Sequence, residues 1–84
     1  MEIYMITFRS VTPAQRAEGA VRRGGIPCTL QRTPGFMREQ GCGYSLVIRY
    51  PDASEAVEIL RQEKISFQKI YFRKAGGGFE EIQL

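Results

Sequence analysis

The spacing of apolar and polar positions divides the chain into short strands and two helices. Glu2 to Phe8 (E-I-Y-M-I-T-F) is rich in β-branched and aromatic residues and nearly apolar on both faces, which predicts a central strand. From Thr12-Pro13 onward the period changes. Ala14, Ala17, Val21 and Gly24 recur at helical spacing with Ala20 beside them, while Gln15, Arg16, Glu18, Arg22 and Arg23 fill the other face. Thr12 is a candidate cap, Pro13 suits the first helical position, and Gly24-Gly25 ends the segment. The buried stripe is made of small residues, so this helix is expected to lie close to a sheet.

Ile26 to Arg32 alternates again. Ile26, Cys28 and Leu30 share one face, and Pro27 favours an edge strand because it has no N–H for the ladder. Gly43 to Tyr50 is the clearest strand, with Tyr44, Leu46, Ile48 and Tyr50 on one face and Ser45, Val47 and Arg49 on the other. Asp52 with Glu55 predicts a capping pair for a second helix that runs to about Glu63 and buries Ala53, Ala56, Val57 and Leu60. Phe67 to Arg73 predicts a fourth strand. After a glycine spacer at 75–78, residues 79–84 either add a short edge strand or fray. The order β-α-β-β-α-β, with right-handed crossovers, predicts an α+β fold of the ferredoxin-like kind: a four-stranded antiparallel sheet with both helices on one face. The expected boundaries are one domain over residues 1–74 and a spacer and tail over 75–84.

Composition narrows the function more than the fold. The chain has 84 residues, no histidine and two cysteines. Without histidine the commonest general base and metal ligand are missing, and two cysteines alone cannot complete a structural zinc site. No phosphate-binding or dinucleotide-binding glycine motif is present, so neither a metal nor a cofactor is expected, and a protein that is not an enzyme is favoured. The first residues lack a basic segment followed by an apolar core, and no apolar run approaches membrane-spanning length. A cytoplasmic protein with reduced thiols is the expectation.

Net charge is +3, unevenly spread. Residues 1–50 carry arginine at 9, 16, 22, 23, 32, 38 and 49, no lysine, and acid only at Glu2, Glu18 and Glu39. Arginine suits forked contact with carboxylate or phosphate; the plainer account is solvated surface and salt bridges. RNA binding is disfavoured, since the 43–50 strand lacks the basic-aromatic pattern of RNA-recognition domains. Tyr4, Phe8, Tyr44 and Tyr50 instead fall in phase with core positions.

The candidate chemistry lies in the loop between the second and third strands. Thr33 to Cys42 spans ten residues where hairpin loops usually take about 2–5. Cys42 sits between Gly41 and Gly43, which permit close approach and leave N–H groups free for an anion. Arg32 and Arg38, on the two arms, can add positive charge. One reading is a reactive thiol on an exposed loop. The other is a small buried hydrophobe at the start of a strand, the usual fate of a free cysteine. Cys28, in phase with Ile26 and Leu30, is expected in the core. In a hairpin that sets Arg32 opposite Gly43, Cys28 lies too far along the ladder to reach Cys42, so no intramolecular disulfide is expected.

With these residues in view, the chain resembles a small prokaryotic family of selenium/sulfur carrier-like proteins. The resemblance runs over about residues 4–72. It rests on T-F-R-S-V-T-x-A at Thr7–Ala14, G-I-P at Gly25–Pro27, Thr33-Pro34, and Cys42-Gly43 before an apolar strand. It implies a thiol-dependent carrier holding persulfide or selenosulfide on Cys42, with a cysteine desulfurase or other sulfur or selenium donor and an acceptor protein as partners. Family members place small polar residues ahead of the Cys-Gly pair; this chain has Arg38-Glu39-Gln40-Gly41. The alternatives are a non-catalytic interaction or regulatory module that dimerises through exposed strand edges and, behind it, an RNA- or anion-binding protein.

Overall fold

The computed structural model describes residues 3–33, 43–49, 52–73 and 76–82. The elements are β1 (Ile3–Phe8), α1 (Val11–Arg23), β2 (Cys28–Arg32), β3 (Tyr44–Arg49), α2 (Ala53–Gln62), β4 (Ile70–Arg73) and β5 (Phe79–Ile82). All strand pairs are antiparallel, in the order β2-β3-β1-β4-β5. The sheet therefore has five strands and not the expected four. Residues 79–82 pair with β4, Phe79 opposite Arg73 and Ile82 opposite Ile70. Gly77 and Gly78, both at positive φ, reverse the chain ahead of β5.

β1 is central, as its two-sided apolar pattern predicts, and β2 is an edge that starts at Cys28, just after Pro27, rather than at the expected Ile26. Register puts Tyr4, Ile6 and Phe8 beside Ile48, Leu46 and Tyr44. That face meets the helices. Ile6, Phe8, Leu46, Ile48 and Ile70 form one buried cluster with Ala14, Ala17, Ala20 and Val21 of α1 and Ala56, Val57 and Leu60 of α2. Three alanines on α1 keep its axis near the sheet. Gly24 lets α2 approach as well: a Cβ there would lie 2.5 Å from Cδ1 of Ile59. Phe8 is fully buried and Tyr4 and Tyr44 pack against the same cluster, so these three aromatics are core residues.

The start of α1 and the capping of α2 differ from expectation. α1 begins at Val11 after Ser10, so Pro13 is the third helical residue, and neither Ser10 nor Asp52 caps its helix with a side-chain hydrogen bond. The Asp52–Glu55 capping pair is not formed, because Asp52 itself has helical φ and ψ and its carboxylate is not in capping geometry. The helix ends are alike. Gly25 N–H donates to the Arg22 carbonyl and Ile26 N–H to the Val21 carbonyl; Lys64 and Ile65 repeat this on Arg61 and Leu60. Both are Schellman closures, with buried Ile26 and Ile65 as the apolar residue after the turn. The first places glycine at the left-handed position (φ 84) and the second places Lys64 there (φ 57).

β4 is shorter than the expected 67–73 because the ladder breaks at Thr7. Thr7 N–H donates to the Lys69 carbonyl, but the Thr7 carbonyl accepts from Gln68 N–H, both at 2.8 Å. Two residues thus oppose one, a β-bulge. The extra N–H, that of Lys69, donates to the Thr7 hydroxyl at 3.1 Å. Among the described residues no helix is long and apolar enough to cross a membrane.

Lys64 occupies a conformation that an L side chain adopts at a cost. Lys64→Gly is expected to raise unfolding stability by roughly 0.5–1 kcal/mol, and Gly25→Ala to lower it by about 1 kcal/mol. Denaturant melts of the two variants check both signs; the same sign for both would contradict the assignment.

Candidate functional site

The ends of β1 and β2 and the start of β3 meet at one end of the sheet, where Thr33 and Gly43 form a stem. Arg32 lies opposite Tyr44 in the register, one residue further along β3 than expected. The next pair is Thr33 with Gly43, where Thr33 N–H donates to the Gly43 carbonyl at 3.0 Å. The Arg32 guanidinium carbon stands 6.0 Å from the centroid of the Tyr44 ring, within reach of a cation–π contact.

Beneath the stem lies a buried hydroxyl pair. Thr33 Oγ1 and Ser45 Oγ are 2.7 Å apart, with Ser45 at 0% exposure and Thr33 at 4%. Thr7 pairs with Ser45 across the strands and is itself buried, its hydroxyl donating to the Lys69 carbonyl at 3.3 Å. Polar groups survive in this interior because each has a partner; no buried side-chain nitrogen or oxygen among the described residues lacks one. Gly43 fits tightly against the pair: a Cβ would sit 3.3 Å from Thr33 Oγ1 and 3.4 Å from the Phe8 carbonyl oxygen.

Of the sequence-derived candidates, Arg32 and Gly43 are therefore brought together at the stem. Cys42, Gly41 and Arg38 lie outside the described residues. Cys28 is where its alternation put it, in the core cluster on β2, opposite Ile48 and 9% exposed. Burial pushes its thiol above the ordinary range, a shift that the nearby Arg22 opposes. Arg22 also donates to the Cys28 carbonyl at 2.9 Å and pairs with Glu18 at 3.2 Å. A buried thiol held in its neutral form is a poor nucleophile. Among the described residues no group of three or more cysteines or carboxylates is placed to hold a metal ion.

The hydroxyls were the part that sequence reasoning missed. Thr7 and Ser45 stand out of phase with the core stripe, which marks them as solvent-facing in a strand pattern. Their signal was positional: one hydroxyl lies in the strand predicted to be central and the other in the clearest strand, and a polar side chain persists in an interior only with a partner.

Removing one member of the pair strands the other. Thr33→Val is expected to cost about 1–3 kcal/mol in unfolding stability by leaving the Ser45 hydroxyl unpaired. Thr33→Val with Ser45→Ala together should cost less than the sum of the single changes, a coupling that a double-mutant cycle reads directly. Additive costs would show that the pair carries nothing.

A family model described as "Putative Se/S carrier protein-like" matches residues 3–72, a span that contains β1 to β4 save the last residue of β4, both helices and the 34–42 segment. Comparison with curated proteins gives no match. The matched span covers most of the chain, and the protein belongs to the Se/S carrier-like family.

Proposed function

We propose that this protein carries sulfur or selenium on a thiol, with Cys42 as the acceptor. The observation that carries the reading is the family match over residues 3–72, a span in which Cys28 and Cys42 are the two thiols. Cys28 is buried in the core with its thiol pushed toward the neutral form, which leaves Cys42 for the chemistry. The stem adds support. Gly43, bonded to Cys42, is held by the Thr33 hydrogen bond and packs against Thr33 and Phe8. The order β2-β3-β1-β4 within the sheet supports reading the frame as ferredoxin-like with β5 appended.

In this reading the Cys42 thiolate attacks the outer sulfur of a persulfide on a donor protein such as a cysteine desulfurase. The new S–S bond forms on Cys42, the donor's S–S bond breaks, and the donor's cysteine leaves as thiolate. A selenium donor gives the corresponding selenosulfide. Gly41 keeps the approach open, Gly41 and Gly43 offer N–H groups to the anion, and Arg32 and Arg38 favour the thiolate. No cofactor takes part. A compartment that keeps thiols reduced, as the cytoplasm does, suits the chemistry.

The test is incubation with a cysteine desulfurase and free cysteine, followed by intact mass. The parent and Cys28→Ser are expected to gain the mass of one sulfur and Cys42→Ser to gain none. Arg32→Ala should slow the gain by up to roughly tenfold at neutral pH, the effect of about one unit of thiol pKa, and recover as pH rises. Loading of Cys42→Ser at the parental rate would remove Cys42 from the mechanism.

A further inference from the structure

The β1–α1 junction carries a feature that the thiol reading leaves unused. A pocket of about 390 Å³ opens there, lined by Arg9, Ser10, Pro13, Ser66, Phe67 and Gln68. Its two walls are far apart in sequence: the junction itself and the segment that leads from α2 into β4. The bulge at Thr7 joins them. Thr7 is two residues before Arg9, and it bonds through its backbone to both Gln68 and Lys69 and through its hydroxyl to Lys69. Main-chain pairing therefore sets the distance between the two walls.

The lining has one chemical sense. Arg9 supplies a permanent positive charge in a planar fork, and Ser10, Ser66 and Gln68 supply further hydrogen-bond donors. Among the described residues no carboxylate lines the pocket. Among the described residues Arg9 is in no ion pair, whereas the neighbouring cation Lys69 is paired with Glu81 at 3.5 Å. Pro13 and Phe67 give the pocket an apolar wall. Donors and a fixed charge beside a flat apolar surface suit a small molecule with an anionic head and an apolar body. The Thr7–Ala14 stretch that supplies Arg9, Ser10 and Pro13 is also the longest of the segments by which the chain resembles its family.

We propose that the pocket between the β1–α1 junction and residues 66–68 binds a small organic anion, its carboxylate or phosphate on Arg9 and Ser10 and its apolar part against Phe67 and Pro13. Arg9 follows Phe8, whose carbonyl oxygen lies beside Gly43 of the stem. Binding does not depend on Cys42 chemistry.

The experiment is an NMR titration of the isotope-labelled full chain with phenyl phosphate and with phenylacetate, following the amides of Ser10, Ser66 and Gln68. At least one probe is expected to shift these signals saturably, and benzyl alcohol, a neutral analogue, is not. Saturation by phenyl phosphate alone assigns a phosphate head, by phenylacetate alone a carboxylate, and by both a general anion site. Arg9 is exposed, so Arg9→Ala should fold and should weaken binding roughly tenfold or more, as for loss of a charged hydrogen bond. Arg9→Lys should fall between, and Cys42→Ser should bind as the parent does. No saturation by either anion up to ~10 mM, or undiminished binding to Arg9→Ala, overturns the proposal. A protein that binds the probe yet takes no sulfur refutes the carrier reading alone, and the converse refutes this one alone.

Discussion

The structure depends on β1 being hydrogen-bonded along both edges. All six residues, Ile3–Phe8, pair with β3, and Ile3–Ile6 pair with β4 on the other side, so the neighbouring strands are placed by reference to them. One face of the strand meets the helices through Tyr4, Ile6 and Phe8. Its last turn of ladder does the local work. Thr7 ties the incoming β4 segment by a bulge, and the Phe8 carbonyl meets Gly43 at the point where the chain returns from the 34–42 segment. A slip of one residue in this strand would turn the apolar set away from the helices and part Thr7 from Ser45. Position of the stem and burial of the core are thus one constraint.

How far the fold could be foreseen follows from which forces are local. The two helices, the edge position of β2 and the burial of Cys28 came directly from periodicity and from the missing N–H of Pro27. The bulge did not, because it exists through a threonine sixty residues away in sequence, and with it went the length of β4. The start of α1 and the capping of α2 were misread for a related reason. Thr12-Pro13 and Asp52–Glu55 have the right residue types for capping, yet α1 begins at Val11, and α2 begins after Asp52 as expected but without a side-chain cap from it. Residues 79–82 stood between strand and frayed end in the sequence. Two glycines at positive φ and the unpaired edge of β4 decide for a strand.

The candidate site was legible in parts. Arg32 and Gly43 fall together at the stem, one step out of the expected register. The buried Thr33–Ser45 pair beneath them was invisible to a pattern that treats hydroxyl positions as solvent-facing. Cys28 and Cys42 separate on physical grounds. The first is a core residue whose thiol burial keeps neutral, and the second is bonded to a glycine set in a hydrogen-bonded stem. Cys28 serves packing, and the transfer proposed for this member of the Se/S carrier-like family is assigned to Cys42.

That division of labour between the thiols is the centre of the account, and site-resolved alkylation against pH measures it. Each cysteine is followed by peptide mass in the native protein over a range of pH. The account predicts that Cys42 reacts quickly with a midpoint below the ordinary thiol value of about 8.5. Cys28 should stay protected until the pH is well above that value or the chain unfolds. Equal rates for the two, or a Cys42 as slow as Cys28 in the folded state, would contradict it.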